Sequence, residues 1–518
     1  MILDDPRGAP ATTRIGGRAT LDGMLRQAAR RRPDEVALLD PPNRESFTDG
    51  RPRSLTCAQA DRVVSAIAGR LRRMGLNTDA IVGIQVANTV ESVLTLLGVL
   101  RAGMIAMPLP ILWHRADVVA ALSRVSASAL IVSGRIGAVD HSELAMRAAA
   151  EVFPVRHVCG YGRDLPDGFL PLDDLFGVDT LDPVPSLEEE RAAAPGPAAH
   201  LAVITWDVCA NGLVPVARSH AELIAGGLAV VLESRLEQNT VLLSTLTLSS
   251  FAALATTVVP WLALGGTLAL HQPFDPEVFL AQIDMTAFDT VIVPGPLAAQ
   301  LAEAGRLMAS DVNMIGVWRA PERLARAPSW PAAKARMIDV QVFGEAGLFA
   351  ARRGPDGKPE VIPFGVVSAP RDPKGSVVAV EIMATPGRTV ALRGPMVPRV
   401  PFPPEAERVG LPHFRVAPSG FVDTGYSCRP NSPTMVLTAP PPGVVGIGGY
   451  RFIVRELHDF VNRVEDGGGT LAVLPDALAG HRLAGIAADH DVLEAGLAKL
   501  GANPLLVGAF RKRRRSAA

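Results

Sequence analysis

Cysteine is scarce in this chain: Cys57, Cys159, Cys209 and Cys428 are the only four among 518 residues. They are widely spaced, with no CxxC pair and no Cys/His cluster, which excludes a disulfide framework and a structural zinc site. Reduced cysteines, a cytoplasmic location and no metal site are therefore expected. Charge bias is lacking too. The formal net charge is −1, so no general attraction draws the protein to nucleic acid or to an anionic membrane. Long apolar runs are also missing, and no stretch approaches the roughly 20 residues that span a bilayer. The run Leu223 to Leu232 is interrupted by Gly226 and Gly227 and reads as a buried helix. The opening MILDDPRGAPATTR carries acidic residues where a signal peptide has a basic and then an apolar run. Apolar residues are what the chain does have, at 48%. At this length they are enough to bury two or more cores.

Periodicity organises the first half. Leu21, Met24, Leu25 and Ala28 share one helical face within Leu21–Arg31, and Ala58, Val63, Ile67 and Leu71 do so between Thr56 and Met74, before Gly75. A strand in Ala80–Ala87, a helix from about Glu91 to Arg101 and a second apolar run, MIAMPLP, have the pitch of a parallel βαβ unit. Residues 160–199 are acidic and rich in Pro and Gly, and read as loops. Alternation resumes at Val241 with VLLSTLTL, a helix-like SFAALATTVVPWLALGG, the strand TLAL and a helix after Phe274-Asp275-Pro276-Glu277. No repeat of fixed period is visible.

In the right order along the chain, several segments resemble the adenylate-forming (AMP-binding) superfamily of acyl- and aryl-CoA ligases. LLGVLRAGMIAMPLP, VIVPGPLAAQLAEAG, LRGPMV and VVGIGGYRFIVRELHDFV are similar to its framework segments. The resemblance implies an α/β fold: a large N-terminal domain, 1–440, with mostly parallel sheets flanked by helices, and a small, shortened α+β lobe, 441–518. ATP with magnesium, CoA and a small carboxylic acid are the ligands it implies.

The positions that touch those ligands depart from the family pattern. Trp206 to His220 lies where the family has TSGTTGxPKGVxxTH, a loop whose small residues bring backbone N–H groups to phosphate and whose lysine adds charge. Ser219 and His220 are kept, while Asp207 replaces the serine, Cys209 a threonine, Asn211 a glycine and Val214 the lysine; Gly212 stays in the loop. The aromatic–His pair of the acid pocket becomes Leu246 and Thr247. The adenine loop GGAPL reads Trp318-Arg319-Ala320-Pro321, whose large side chains either stack on a base or fill its slot, filling being the expectation. YGxTE reads Phe343-Gly344-Glu345-Ala346-Gly347, with Gly347 at the metal-binding glutamate. Glu345 is expected to face solvent. The ribose clamp TGD reads Thr424-Gly425-Tyr426, with Asp423 one residue early.

After Pro440-Pro441-Pro442, where the family has its hinge, the pair Gly448-Gly449 is kept. Near the C-terminus Ala509 stands where the family has its catalytic lysine. The basic run Arg511 to Arg515 reads as a solvated tail. Framework kept and chemistry lost together imply a non-adenylating protein that binds AMP, CoA, a small acid, an active paralogue or a second copy of itself. An enzyme rebuilt around Glu345, Asp423, Arg319 or His220 is the alternative.

Overall fold

The computed structural model describes residues 1–2, 17–177, 191, 196–305, 312–330, 335–371, 377–464 and 468–511. Much of the 160–199 stretch, and the basic run beyond Arg511, lie outside them. Within the described part of 160–199, Leu170–Pro171 forms a short strand rather than loop.

Two largely parallel sheets make the bulk of the N-terminal part, and their strands are short apolar runs covered by helices on both faces. One sheet has the strand order Gly347–Arg352, Arg336–Phe343, Asn313–Trp318, Thr290–Pro294, Val241–Ser244, Thr267–Leu270, Val36–Leu39 and Ser54–Thr56. The other runs Gly212–Ser219, Leu201–Cys209, Ile105–Pro108, Ile81–Gln85, Ala129–Ser133, His157–Tyr161 and Leu170–Pro171. Ile81 pairs in parallel with Ile105, so the expected βαβ unit is present. Its helix, Val90–Arg101, is largely apolar and buried on every side. Its two charged residues are paired: Glu91 with Arg44 at 2.5 Å, and Arg101 with Asp61 Oδ1 at 2.7 Å and Ser65 Oγ at 2.7 Å.

A third, antiparallel sheet of Ile362–Pro363, Thr434–Ala439, Val422–Asn431, Thr389–Arg393, Val377–Ala384 and Gly365–Ala369 completes this part. The small C-terminal lobe that follows is built from two hairpins and three helices among the described residues.

The helix His220–Ser234 begins with a capping box between Ser219 and Glu222 and is largely buried, as the apolar run predicts. Its two glycines are where another helix crosses closely. A Cβ on Gly226 would lie 2.5 Å from Phe251 Cζ, and one on Gly227 2.2 Å from Val259 Cγ1. No helix among the described residues is long and apolar enough to cross a membrane.

Candidate functional site

The expected phosphate loop is a tight hairpin. Leu201–Cys209 and Gly212–Ser219 pair antiparallel from Thr205 opposite Val216, through Asp207 opposite Val214, to Cys209 opposite Gly212. Only Ala210 and the exposed Asn211 remain to make the turn. A phosphate-binding loop needs several unpaired backbone N–H groups converging on one point; here they are spread along an extended ladder. Val214 is buried, so nothing cationic points out from the lysine position.

Asp207 instead looks across to the segment Phe343–Gly347. Its Oδ2 accepts the Glu345 N–H at 3.0 Å, and its Oδ1 accepts Arg451 Nη1 at 2.6 Å. Gly344, at φ +61°, permits this approach: a Cβ there would lie 2.3 Å from Asp207 Oδ2. Arg451 comes from the small lobe. The turn of the hairpin Val444–Ile447 and Tyr450–Ile453 is Gly448-Gly449, both at positive φ, as a two-residue hairpin loop requires. That turn carries Tyr450 and Arg451 into the cleft, where Tyr450 and Thr247 share the cavity wall.

The second guanidinium nitrogen of Arg451 contacts the Tyr426 hydroxyl, and its charge lies 5.2 Å over the Tyr426 ring. Burial works against that charge, but Tyr426, Asp207 and Glu345 outweigh it and hold Arg451 protonated beyond the ordinary arginine range. Tyr426 is buried, donates to Arg319 O at 3.3 Å and meets Phe343 edge-on, with ring centroids 5.8 Å apart. Burial raises its phenol to about 12. Thr424 donates to Val390 O, and Asp423 is exposed and accepts only the Gly425 N–H among the described bonds. The ribose-clamp segment therefore presents a phenol to the cleft.

Glu345 corrects the sequence reading. It is 1% exposed rather than facing solvent. Its Oε2 accepts the Phe251 N–H at 2.8 Å, and Arg319 Nη2 lies 3.8 Å from its Oε1. Burial raises its pKa above the ordinary carboxylate value, opposed by Arg319 and Arg218. Arg218, unmarked in the sequence, is also buried: it donates to Met396 O and to Glu345 O, and lies 3.9 Å over the Phe251 ring. Burial lowers it to about 10. Gly347 packs under Leu392, 3.1 Å from where a Cβ would stand, so the position that carries the family's metal-binding glutamate is closed over.

Trp318 is buried and donates its indole N–H to Asp339 Oδ1 at 2.8 Å. Its ring lies on Gly295, whose Cβ would be 2.2 Å from Trp318 Cε2. The ring thus covers backbone and forms part of a cavity wall. The cavity, of about 350 Å³, is mostly apolar, with Leu246, Leu297, Trp318 and Tyr450 among its walls and Arg319, Arg323 and Arg451 on its polar side. A void of only about 20 Å³ is left around Asp207, Glu345, Arg319 and Arg451.

His220 and Ala509 are not brought to this place. His220 is buried under the first helix, where Nδ1 accepts the Leu21 N–H at 3.3 Å, and burial lowers it to about 4. Ala509 packs within the small lobe's own core. The residues that sequence reasoning missed are Arg218, Tyr450 and Arg451. A buried-strand aspartate at 207 was the available signal, since such a charge needs a partner.

Comparison with known proteins agrees with the fold. The AMP-binding enzyme family model matches residues 25–324. Over 483 residues the chain is 26% identical to the 2-hydroxy-7-methoxy-5-methyl-1-naphthoate–CoA ligase of Streptomyces carzinostaticus, covering 90% of this chain and 83% of that protein. It is 28% identical over 280 residues to a salicyl-AMP ligase/salicyl-S-ArCP synthetase of Mycobacterium tuberculosis, covering 53% of this chain and 46% of that protein. The amide bond synthetase McbA from Marinactinospora thermotolerans superposes with a TM-score of 0.70 at 19% identity, over 94% of each chain. Mycobacterium smegmatis MbtA gives 0.63 at 21%, over 94% of this chain and 90% of that one. With more than half of the chain matched by the family model and the landmark segments in order, the protein belongs to the AMP-binding enzyme family.

Proposed function

We propose that the chain is an acyl-/aryl-CoA-ligase-like protein that does not adenylate and instead binds a small aromatic carboxylic acid in the open cavity. The observation that carries the reading is the Asp207–Arg451 pair at 2.6 Å, which fills the phosphate end of the cleft with the protein's own charges. ATP with magnesium does not fit the groups as arranged. The hairpin offers no free cluster of N–H donors, Val214 is apolar, Gly347 brings no carboxylate, and Glu345 is engaged by Phe251 and faces Arg319. The names of the curated relatives, a naphthoate ligase and a salicyl ligase, support an aromatic acid for a cavity walled by Trp318 and Tyr450. The reading takes the division between lobes at 440/441, a cytoplasmic setting, and an active paralogue or a second copy as the protein partners to test.

Pyrophosphate exchange with a broad panel of aliphatic and aromatic acids tests it, alongside titration with ATP, AMP and CoA with and without magnesium. Exchange is expected to stay at background. Single restorations of lysine at 214 or 509, glutamate at 347 or aspartate at 426 are expected to leave it there, because groups acting on one transition state are strongly non-additive. Acid-dependent exchange by the unmodified protein would sink the reading. One observation favours the rebuilt enzyme instead: Glu345 and Arg319 both border the cleft. In that case exchange is present and is abolished by Glu345→Gln.

A further inference from the structure

Two features of the cleft belong to no landmark of the family pattern: an aspartate where a small hydroxyl residue would touch phosphate, and an arginine delivered to it by the other lobe. We propose that the Asp207–Arg451 pair is a specificity latch, which excludes phosphorylated ligands from the cleft and holds the small lobe closed over the apolar cavity. The inference rests on the non-adenylating reading.

Asp207 is engaged on both oxygens, since it accepts from the N–H groups of Val208 and Glu345 and from Arg451. Arg451 is committed in the same way, to Asp207 on one nitrogen and the Tyr426 hydroxyl on another. The cations and acids lining this end, Arg319 and Arg451 against Asp207 and Glu345, balance one another in a space that leaves about 20 Å³. A phosphate can enter this small space only by displacing the guanidinium from the carboxylate. It then meets Asp207 bare, a like charge in a part-buried place, where repulsion is stronger than in open water.

The same pair ties the lobes together. Arg451 crosses from the small lobe, and around it Arg323 donates to Ala477 O, Asn503 to Leu112 O and Arg115 to Lys499 O. Apolar contact among Val208, Val444 and Ile453 closes the seam. Of these ties the Asp207–Arg451 pair is the ion pair in the cleft, and the cavity wall at Gly448, Gly449 and Tyr450 is complete only while it holds. Entry of phosphate and departure of the lobe are therefore one event, whereas a ligand without phosphate is enclosed with the latch shut.

Asp207→Asn separates the alternatives, because it keeps the shape and frees the arginine's charge. Inorganic pyrophosphate, titrated calorimetrically, is expected to bind this variant at least tenfold more tightly than the wild type, with affinity falling as salt rises. Hydrogen exchange in the hairpin Val444–Ile453 is expected to quicken by a similar factor. Arg451→Met should quicken exchange in the same hairpin without any gain for pyrophosphate, since Asp207 then stands alone. Should Asp207→Asn fail to fold, Asp207→Ser takes its place. If pyrophosphate binding or hairpin exchange of the Asp207 variant stays at the wild-type value, or if Arg451→Met gains pyrophosphate as well, the latch is overturned. None of these outcomes depends on catalysis, so failure here is distinct from acid-dependent pyrophosphate exchange, which would defeat the functional reading itself.

Discussion

The two ends of the cleft differ in how their side chains are used. At the end that holds Asp207, the polar side chains are used by other parts of the chain: Asp207 by Arg451, Glu345 by the Phe251 N–H and Arg319, Tyr426 by Arg319 O and Arg451, while Val214 and Gly347 bring no polar side chain. At the apolar end about 350 Å³ remains open, in the range of small-molecule pockets. Charged groups cannot be left waiting in a buried place without partners, because desolvation costs too much. An apolar wall carries no such penalty when it is empty of ligand but open to solvent. Loss of a charged ligand therefore pulls replacements inward, while loss of an imidazole from an apolar pocket needs no answer.

The comparison breaks most sharply at Glu345. Glu345→Ala leaves the buried Phe251 N–H unpaired and removes the carboxylate facing the part-exposed Arg319, at an expected cost of about 2–3 kcal/mol. Urea unfolding measures it, and a loss below about 1 kcal/mol, the range of an exposed pair, would mean the glutamate is solvated after all. Trp318→Ala probes the border between the ends and is expected to cost about 3 kcal/mol, the low side for a buried tryptophan, because Asp339 keeps Arg353 at 2.7 Å. It widens the cavity, yet AMP affinity should not rise, since the phosphate end stays filled. Tighter AMP binding by this variant would place the obstruction at the base slot instead.

Why one end was legible and the other was not follows from the same particulars. The helix Leu21–Arg31 has the bounds its apolar spacing predicts, Thr56 caps the helix Cys57–Arg73, and Gly448-Gly449 marks a hairpin turn. All three are written in neighbouring residues. Glu345 was misjudged because its burial depends on Phe251, 94 residues away, and on Arg218, 127 residues away. Arg451 lies 244 residues from Asp207, and no local period links them. Trp318 was expected to fill the slot on size alone; the glycine at 295, on which its ring rests, comes from another strand–helix turn.

A smaller effect sharpens the account of the open end. Leu246→Trp puts a ring into existing space rather than into packed core, so its stability cost should be about 1 kcal/mol. Binding of an aromatic acid such as naphthoate, read by calorimetry without nucleotide, should fall at least tenfold. Unchanged binding would move the ligand out of this cavity.

The smallest expected effect lies at the seam and depends on pH. Asp117 of the large lobe accepts the His114 N–H at 3.3 Å and faces Glu456 of the small lobe across a pocket that Arg451 and Asn503 also line. Burial, then Glu456, raises its carboxyl to about 7, against the partial relief of the His114 bond. A carboxyl raised on folding holds its proton in the folded chain at pH values where the unfolded chain has lost it. Its contribution is therefore fully present below the unfolded value near 4 and is lost as pH rises towards 7. Like charge at Glu456, itself raised by burial, pushes in the same direction, so the lobes should be held less firmly at pH 8 than at pH 5. Asp117→Asn removes the titration and keeps the shape. It is expected to flatten the fall in stability between pH 4 and 7 and to add up to about 2 kcal/mol at pH 8, after screening for its partial exposure. Thermal melts across that range read the difference, and parallel pH profiles for variant and wild type would remove Asp117 from the seam's electrostatics.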